Sequence, residues 1–331
     1  MAQMKYFYEL TISSSPHVHA PVTTNTIMRD VLIALTPALL GSIYFFGFRA
    51  LLVTLISVAA CVFFEWAWCK LRKQSNKLYD LSAVVTGVLL AFVCPVTIPY
   101  WCIIIGDFFA IIVVKQIFGG IGKNIVNPAL AGRAFMFSWP ALMSTWVKVG
   151  FENSAGILST ADAVTAATPL AAMHQGQLPD VSVLDMFLGN VGGCIGETSA
   201  LLILIGFVYL LARRVLCGRV TLTFLGTVAI LSLLFPRGND PLTWCAAQLC
   251  SGGVMLGAAF MATDYVTSPV THLGQFLYGL GCGLLTVLIR YFGGYPEGVS
   301  YAILVMNCAV VLFDRVGRPA KFGAPKKEAA K

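Results

Sequence analysis

Glu197, Asp107 and Arg133 stand inside runs of apolar residues. Thr165 and Thr168 stand in a polar stretch between two groups of such runs. These are the side chains whose types and positions invite chemistry. A carboxylate in an apolar layer is expensive unless it meets a cation, a donor or water, so it is by default a site for an ion or a polar ligand. Glu197 follows Gly192-Gly193-Cys194-Ile195-Gly196 and precedes Thr198 and Ser199. Its glycines allow close backbone approach, and its neighbouring hydroxyls and carbonyls add oxygen ligands of the kind a hard cation takes. Asp107 interrupts one apolar run, and Asp264 lies in Met261-Ala262-Thr263-Asp264. Arg133 can pair with an acid or extend to the inner surface. For Glu197 and Asp107 the structural alternative is a satisfied ion pair. Glu65, beside Trp66 and Trp68, reads as a residue at a membrane edge.

Thr168 precedes Pro169 and Leu170-Ala171-Ala172-Met173. That order predicts a helix with Thr168 as N-cap and Pro169 as its first residue. Small Ala166 and Ala167 leave the hydroxyl open to a modifying enzyme, and amides at a helix start favour a phosphate. Capping and esterification are compatible in position. They differ in whether the hydroxyl carries a group.

The elements that must hold these residues are membrane helices. Of 331 residues, 58% are hydrophobic and 11% charged, with a mean hydropathy of +0.81. Soluble domains carry about 25% charge. Spans of about 20 residues are required to cross a bilayer, and the apolar runs predict about ten of them. They lie near residues 31–48, 50–69, 81–95, 99–115, 128–147, 191–212, 220–236, 241–262, 273–291 and 298–313. The organisation expected is a cytoplasmic segment (1–30), a first group of five helices (31–149), an external loop (150–190), a second group of five (191–314) and a basic tail (315–331). With the N-terminus inside, 17 Lys and Arg fall in inside segments, among them Lys70, Arg72, Lys115, Lys123 and the tail. Only Arg49, Lys148, Arg237 and Arg290 fall outside. The positive-inside rule then makes both termini cytoplasmic and puts Thr168 on the outer face. The net charge of +7 is read as a topology signal, and nucleic-acid binding as a poor account of it. The first 28 residues lack the basic start and early apolar stretch of a cleavable signal.

The two halves share elements in one order. Ala91-Phe92, Val96-Thr97-Ile98-Pro99 and Lys115 with Phe118-Gly119-Gly120 correspond to Ala259-Phe260, Val266-Thr267-Ser268-Pro269 and Arg290 with Phe292-Gly293-Gly294. Five spans per half is an odd number, so the halves would run in opposite senses and hold a site at their interface, beside helices broken near Pro95, Pro99 and Pro269. The ten cysteines form no C-x-x-C and read as small packing residues. There is no G-x-G-x-x-G after a strand and no Walker A sequence, which argues against a nucleotide site on this chain.

The stretch Asp162-Ala163-Val164-Thr165-Ala166-Ala167-Thr168 resembles the D-x-x-[ST]-x-A-T site at which a flavin transferase joins FMN phosphate to threonine. Further resemblance lies in Ser15-Pro16-His17, Lys115-Gln116, Asn127-Pro128-Ala129, Gly196-Glu197-Thr198-Ser199, Thr267-Ser268-Pro269 and Gly293-Gly294-Tyr295-Pro296. Together they resemble the RnfD/NqrB family, which includes the RnfD component of the Rnf complex, an ion-pumping ferredoxin:NAD+ oxidoreductase. The NqrB component of the Na+-translocating NADH:quinone reductase is similar but usually has a longer N-terminal region. The family more often has glycine where this chain has Ala166.

The resemblance implies an all-α, polytopic membrane protein of about ten transmembrane helices in two inverted five-helix repeats, akin to urea transporters. It implies FMN esterified to Thr168, with Asp162 and Thr165 as recognition residues, and riboflavin bound non-covalently among the helices. Glu197, Asp107 and Asp264 are then candidates for the ion or a flavin. Implied partners are the other components of the Rnf complex, including an outer-facing FMN-carrying one, a flavin transferase and membrane lipid. The implied location is the bacterial inner membrane. A different class, a urea-type channel or small-solute transporter, would need no such threonine motif and would purify colourless.

Overall fold

A computed structural model describes residues 22–73, 78–147, 149–150, 168–238 and 240–317. Among them the regular elements are helices throughout, and no strand is formed. Asp162 and Thr165 lie outside the described residues.

Helix α1 (Thr24–Phe46) begins at a capping box, in which Thr23 and Thr26 bond each other's backbone amides. It ends at Gly47, whose φ of 78° turns the chain directly into α2 (Phe48–Leu71). Helix α3 (Ser82–Phe92) is only 11 residues long and is buried along nearly its whole length. Pro95 and Pro99 prevent its continuation. Helix α4 (Tyr100–Phe108) runs on as a π-helical segment, Phe109–Gln116. Helix α5 (Pro128–Met136) is capped by Asn127, whose side-chain oxygen accepts from the amides of Ala129 and Leu130. A short α6 (Pro140–Met143) follows, then α7 (Pro169–His174) and α8 (Val183–Leu188).

The second half begins with α9 (Ala200–Ala212) and α10 (Arg219–Leu234). Helices α11 (Pro241–Cys250) and α12 (Val254–Leu256, extended by the π-helical Gly257–Met261) meet at a 63° bend. The chain closes with α13 (His272–Phe292) and α14 (Val299–Val316). Asp30 of α1 ties the halves together, accepting from Tyr209 and Arg213 of α9.

Among the described residues, four helices (α1, α2, α13 and α14) are long and apolar enough to cross a membrane, or five if the bent α11–α12 pair is one span. This is fewer than the expected ten, and the differences have local causes. The fifth run breaks between Met136 and Pro140, whose ring cannot continue the helix. In the sixth, residues 191–199 are not helical because their glycines favour an irregular backbone, and α9 starts only after its cap Ser199. Large apolar side chains cover the outside of the long helices, including Leu40, Tyr44, Leu55, Leu222, Leu288 and Val311. The polar groups Asp107, Arg133, Glu197 and Arg290 are buried inside. That inside-out distribution, with the apolar helices, marks a multi-pass membrane protein.

Several residues sit elsewhere than the sequence suggested. Glu65 does not lie on the protein surface: it is 2% exposed and pairs with Lys115 at 2.9 Å. Lys115 itself is buried, as are Arg49 and Arg290. Arg49 donates to the carbonyls of Val96 and Ile98 in the break after α3. These three cations serve interior acceptors and carry no information about sidedness.

Candidate functional site

Thr168 caps α7 as its sequence predicts. Its backbone is extended (φ −79°, ψ 149°), its side-chain oxygen accepts from the amide of Ala171 at 3.3 Å, and Pro169 is the first helical residue. The cap is a single long hydrogen bond on a six-residue helix, so the hydroxyl is not committed to it. Thr168 lines a cavity of about 150 Å³. Opposite walls come from the irregular 191–198 segment, the α11–α12 bend and the α13–α14 loop, with Phe137, Trp146 and Tyr295 as aromatic surface.

Glu197 lines the same cavity. It belongs to a buried charge cluster centred on Arg133 of α5. The Arg133 guanidinium donates to Glu297 Oε1 at 2.6 Å, to the second Glu297 oxygen, to Ser300 Oγ at 2.9 Å and to Glu197 Oε1 at 3.4 Å. It also reaches Cys194 Sγ at 3.6 Å. Arg133 is 1% exposed and Glu197 is 5% exposed. The Glu297 side chain is 16% exposed and reaches the cavity. Arg133 Nε finds no partner among the described residues.

The backbone at the α11–α12 bend completes this wall. A methyl group on Gly253 would lie 2.6 Å from Glu197 Oε1 and 2.8 Å from Glu297 Oε1, so any larger residue there would displace the two carboxylates. Arg290 of α13 holds the bend from the other side. It donates to the carbonyls of Gln248 and Ser251 at 2.7 and 3.0 Å, to Gln248 Oε1 at 2.7 Å, and through Nε to the Glu297 carbonyl at 3.2 Å. The guanidinium thus satisfies carbonyls that the interrupted helix leaves open.

A second cavity, about 90 Å³, lies between α1, α3, the Asn124–Ala129 segment, α9 and the end of α12. Asp264 lines it, together with Lys115, Ser82, Asn124 and Phe260. The Asp264 carboxylate accepts from the Thr267 hydroxyl at 3.1 Å and from the Val266 amide at 3.5 Å. Asp107 reaches neither cavity. Its Oδ1 accepts from Ser57 at 2.7 Å and from Cys61 at 3.2 Å, between α2, α3 and α4.

The sequence-predicted residues therefore divide. Thr168 and Glu197 come together at one cavity, Asp264 stands at the other, and Asp107 is enclosed apart from both. Glu297, the closest partner of Arg133, escaped the sequence reading. Its signal was a carboxylate in a short Gly-Pro loop, Gly293-Gly294-Tyr295-Pro296-Glu297-Gly298, between two apolar runs.

Comparison with known proteins fits this arrangement. Residues 11–323 match the family described as NQR2, RnfD, RnfE. The chain is 48% identical to the D subunit of the Na+-translocating ferredoxin:NAD+ oxidoreductase complex of Acetobacterium woodii, covering 96% of each chain. It is 41% identical to the D subunit of the proton-translocating ferredoxin:NAD+ oxidoreductase complex of Clostridium ljungdahlii, over 95% of this chain and 96% of that one. It is 37% identical to the D subunit of the ion-translocating oxidoreductase complex of Stutzerimonas stutzeri, over 91% and 92%. A match that runs through both cavities and nearly every helix makes the chain a member of the NQR2, RnfD, RnfE family.

Proposed function

We propose that this chain is the membrane subunit of an ion-translocating ferredoxin:NAD+ oxidoreductase complex, with FMN esterified to Thr168. Electrons would pass through it between ferredoxin and NAD+ while Na+ or H+ crosses the membrane. The observation that carries this reading is that Thr168 lines the same cavity as Glu197 and Glu297, the two carboxylates paired with buried Arg133. The residues fit an attached flavin phosphate. The hydroxyl spends one weak hydrogen bond on its cap, and the cavity offers aromatic surface for a planar ring. FMN supplies reversible electron acceptance when bound. The chain fixes its attachment point, encloses it and sets the charge around it. We assign riboflavin to the second cavity on the mixed polar and aromatic character of its lining.

The peptide containing Thr168 should be heavier than its sequence mass by one FMN less one water. An unmodified peptide from the assembled complex defeats the reading. A colourless, solute-conducting protein would point to the channel alternative.

The inverted-repeat organisation is supported by pairing across the halves. The first helices of the two groups, α1 and α9, pack together, and so do the last, α5 and α14. Each half also holds a short buried helix, α3 or α12, followed by a break. The inner-membrane location with cytoplasmic termini rests on charge. With the buried cations Lys115, Arg49 and Arg290 set aside, 16 Lys and Arg remain on the proposed inside and 2 on the outside. A cysteine placed at Ser159 should react only with reagent added from the outer side, in a background lacking the exposed Cys217 and Cys308. Labelling from the cytoplasmic side alone reverses the orientation.

The charge cluster gives a separate expectation. Glu197→Gln keeps shape and hydrogen bonding but removes a charge beside Arg133. It should leave the Thr168-linked flavin in place and slow ion uptake or electron transfer in vesicles. Wild-type turnover together with wild-type ion uptake would reduce Glu197 to a structural partner of Arg133.

A further inference from the structure

Three helices of the first half enclose a line of polar groups that begins at the second cavity and runs away from it. Helix α2 contributes Ser57, Cys61 and Glu65. Helix α4 with its π-helical continuation contributes Asp107, Ile111 and Lys115. Helix α3 contributes Ser82, Ala83 and Gly87. Four residues is close to one helical turn, so the α2 set and the α4 set each lie along one helix face. The result is two polar rungs with an apolar one between them.

In the first rung, Lys115 Nζ donates to Glu65 Oε2 at 3.1 Å and to Ser82 Oγ at 2.7 Å, and Gln116 donates to Glu65 Oε1 at 2.7 Å. Lys115 and Ser82 also line the second cavity. Beyond it, Cys61, Ala83 and Ile111 form a small apolar cluster separate from the main core. In the second rung, Ser57 Oγ lies 2.7 Å from Asp107 Oδ1 and 2.9 Å from the Gly87 carbonyl. Asp107 is 0% exposed, and its Oδ2 has no hydrogen-bond partner among the described residues.

The proton count at Ser57 decides the state of Asp107. A serine hydroxyl carries one proton, so it cannot donate to both the Gly87 carbonyl and the Asp107 carboxylate. Both contacts are satisfied when Asp107 is protonated on Oδ1 and donates to Ser57, which in turn donates to Gly87. Oδ2 is then the carbonyl oxygen of a neutral acid. In the ionised form it would be a carboxylate oxygen without a donor in a dry interior. A metal cation fits poorly, because it needs several oxygen ligands around an open position, whereas these oxygens already touch one another. Around the carboxyl, α2 offers Ser57 and Cys61, α3 offers the Gly87 carbonyl, and α5 offers Met136 against Gly106. The cation on its own helix, Lys115, is two turns away and engaged by Glu65.

We propose that Asp107 is a proton-binding site that exchanges H+ with the second cavity by way of the Glu65–Lys115–Ser82 rung, with Ile111 as the barrier between the rungs. On release, the O–H bond at Asp107 breaks and one forms at Glu65; that bond breaks in turn as the proton passes, beside Lys115 and Ser82, to a water of the second cavity, and no electron moves. Asp107 is left as a carboxylate that accepts from Ser57 and Cys61.

Infrared spectra of the purified complex, wild type minus Asp107→Asn, should show loss of a carboxylic-acid carbonyl band that shifts in heavy water. Ser57→Ala should move that band to higher frequency, since the acid loses its acceptor. Loss of carboxylate bands instead, or an acid band unmoved by Ser57→Ala, overturns the proposal. If Asp107→Asn fails to assemble, the Ser57→Ala shift decides it. Ile111→Ala should speed hydrogen–deuterium exchange of the band severalfold, and an unchanged rate overturns the route. The band should survive in Thr168→Val, so its fate is independent of the flavin reading.

Discussion

Replacing Thr168 with valine should abolish covalently bound flavin while the chain still inserts and folds. The ester requires a hydroxyl oxygen, and valine keeps the β-branched shape without one. The structural effect is small by comparison. Thr168 contributes one 3.3 Å cap to a six-residue helix, and loss of a cap costs about 0.5–2 kcal/mol. The chemical effect is all or none. On a denaturing gel under ultraviolet light the wild-type band should fluoresce and the Thr168→Val band should be dark. Thr168→Ser should retain fluorescence because it retains the nucleophile. Thr165→Val should retain it in weakened form. A bright Thr168→Val band would move the attachment to another residue.

How much of this was legible in the sequence follows from the range of each interaction. The Thr168 cap, the Asn127 cap and the Gly47 turn are set by neighbours within three or four residues, and the sequence displays them directly. The burial of Asp107 and Glu197 was legible because each carboxylate stands in an apolar run. What the sequence hid were partners far along the chain. Glu65 looked interfacial beside its tryptophans until Lys115, 50 residues on, was seen to neutralise it. Arg290 looked like a loop charge, yet it is the clamp on the α11–α12 bend. Hydropathy also overstated helix length, since it reads composition and is blind to the breaks that Pro140 and the 191–199 glycines impose.

Arg133→Met should be the most destabilising single change near the site. The guanidinium is 1% exposed and is held by Glu297, Glu197 and Ser300. Methionine fills much of the volume but leaves two carboxylates facing each other across Gly253 with no cation between them. Removing one partner of a buried ion pair costs about 3–5 kcal/mol, chiefly because the remaining charge is stranded. Adding Glu297→Gln to Arg133→Met removes one stranded charge and should recover more than half of the loss. The measurement is the surviving monodisperse fraction after graded heating in detergent. If the double variant is no better than Arg133→Met, the loss comes from packing and the electrostatic account fails.

The same cluster bears on how the chain is made. Lys115 meets Glu65 across 50 residues already synthesised, so that pair can close while the first half is entering the membrane. Arg133 must wait for Glu297, 164 residues later. At about 5–20 residues per second, that is a delay of roughly 8–33 s. During it the α5 guanidinium has only Glu197, itself 64 residues on, and for part of the time no carboxylate of the cluster at all. The insertion machinery must therefore shelter an uncompensated cation until the loop before α14 emerges. A chain stopped short of Glu297 would leave the α5 guanidinium with Glu197 as its one carboxylate partner among the described residues.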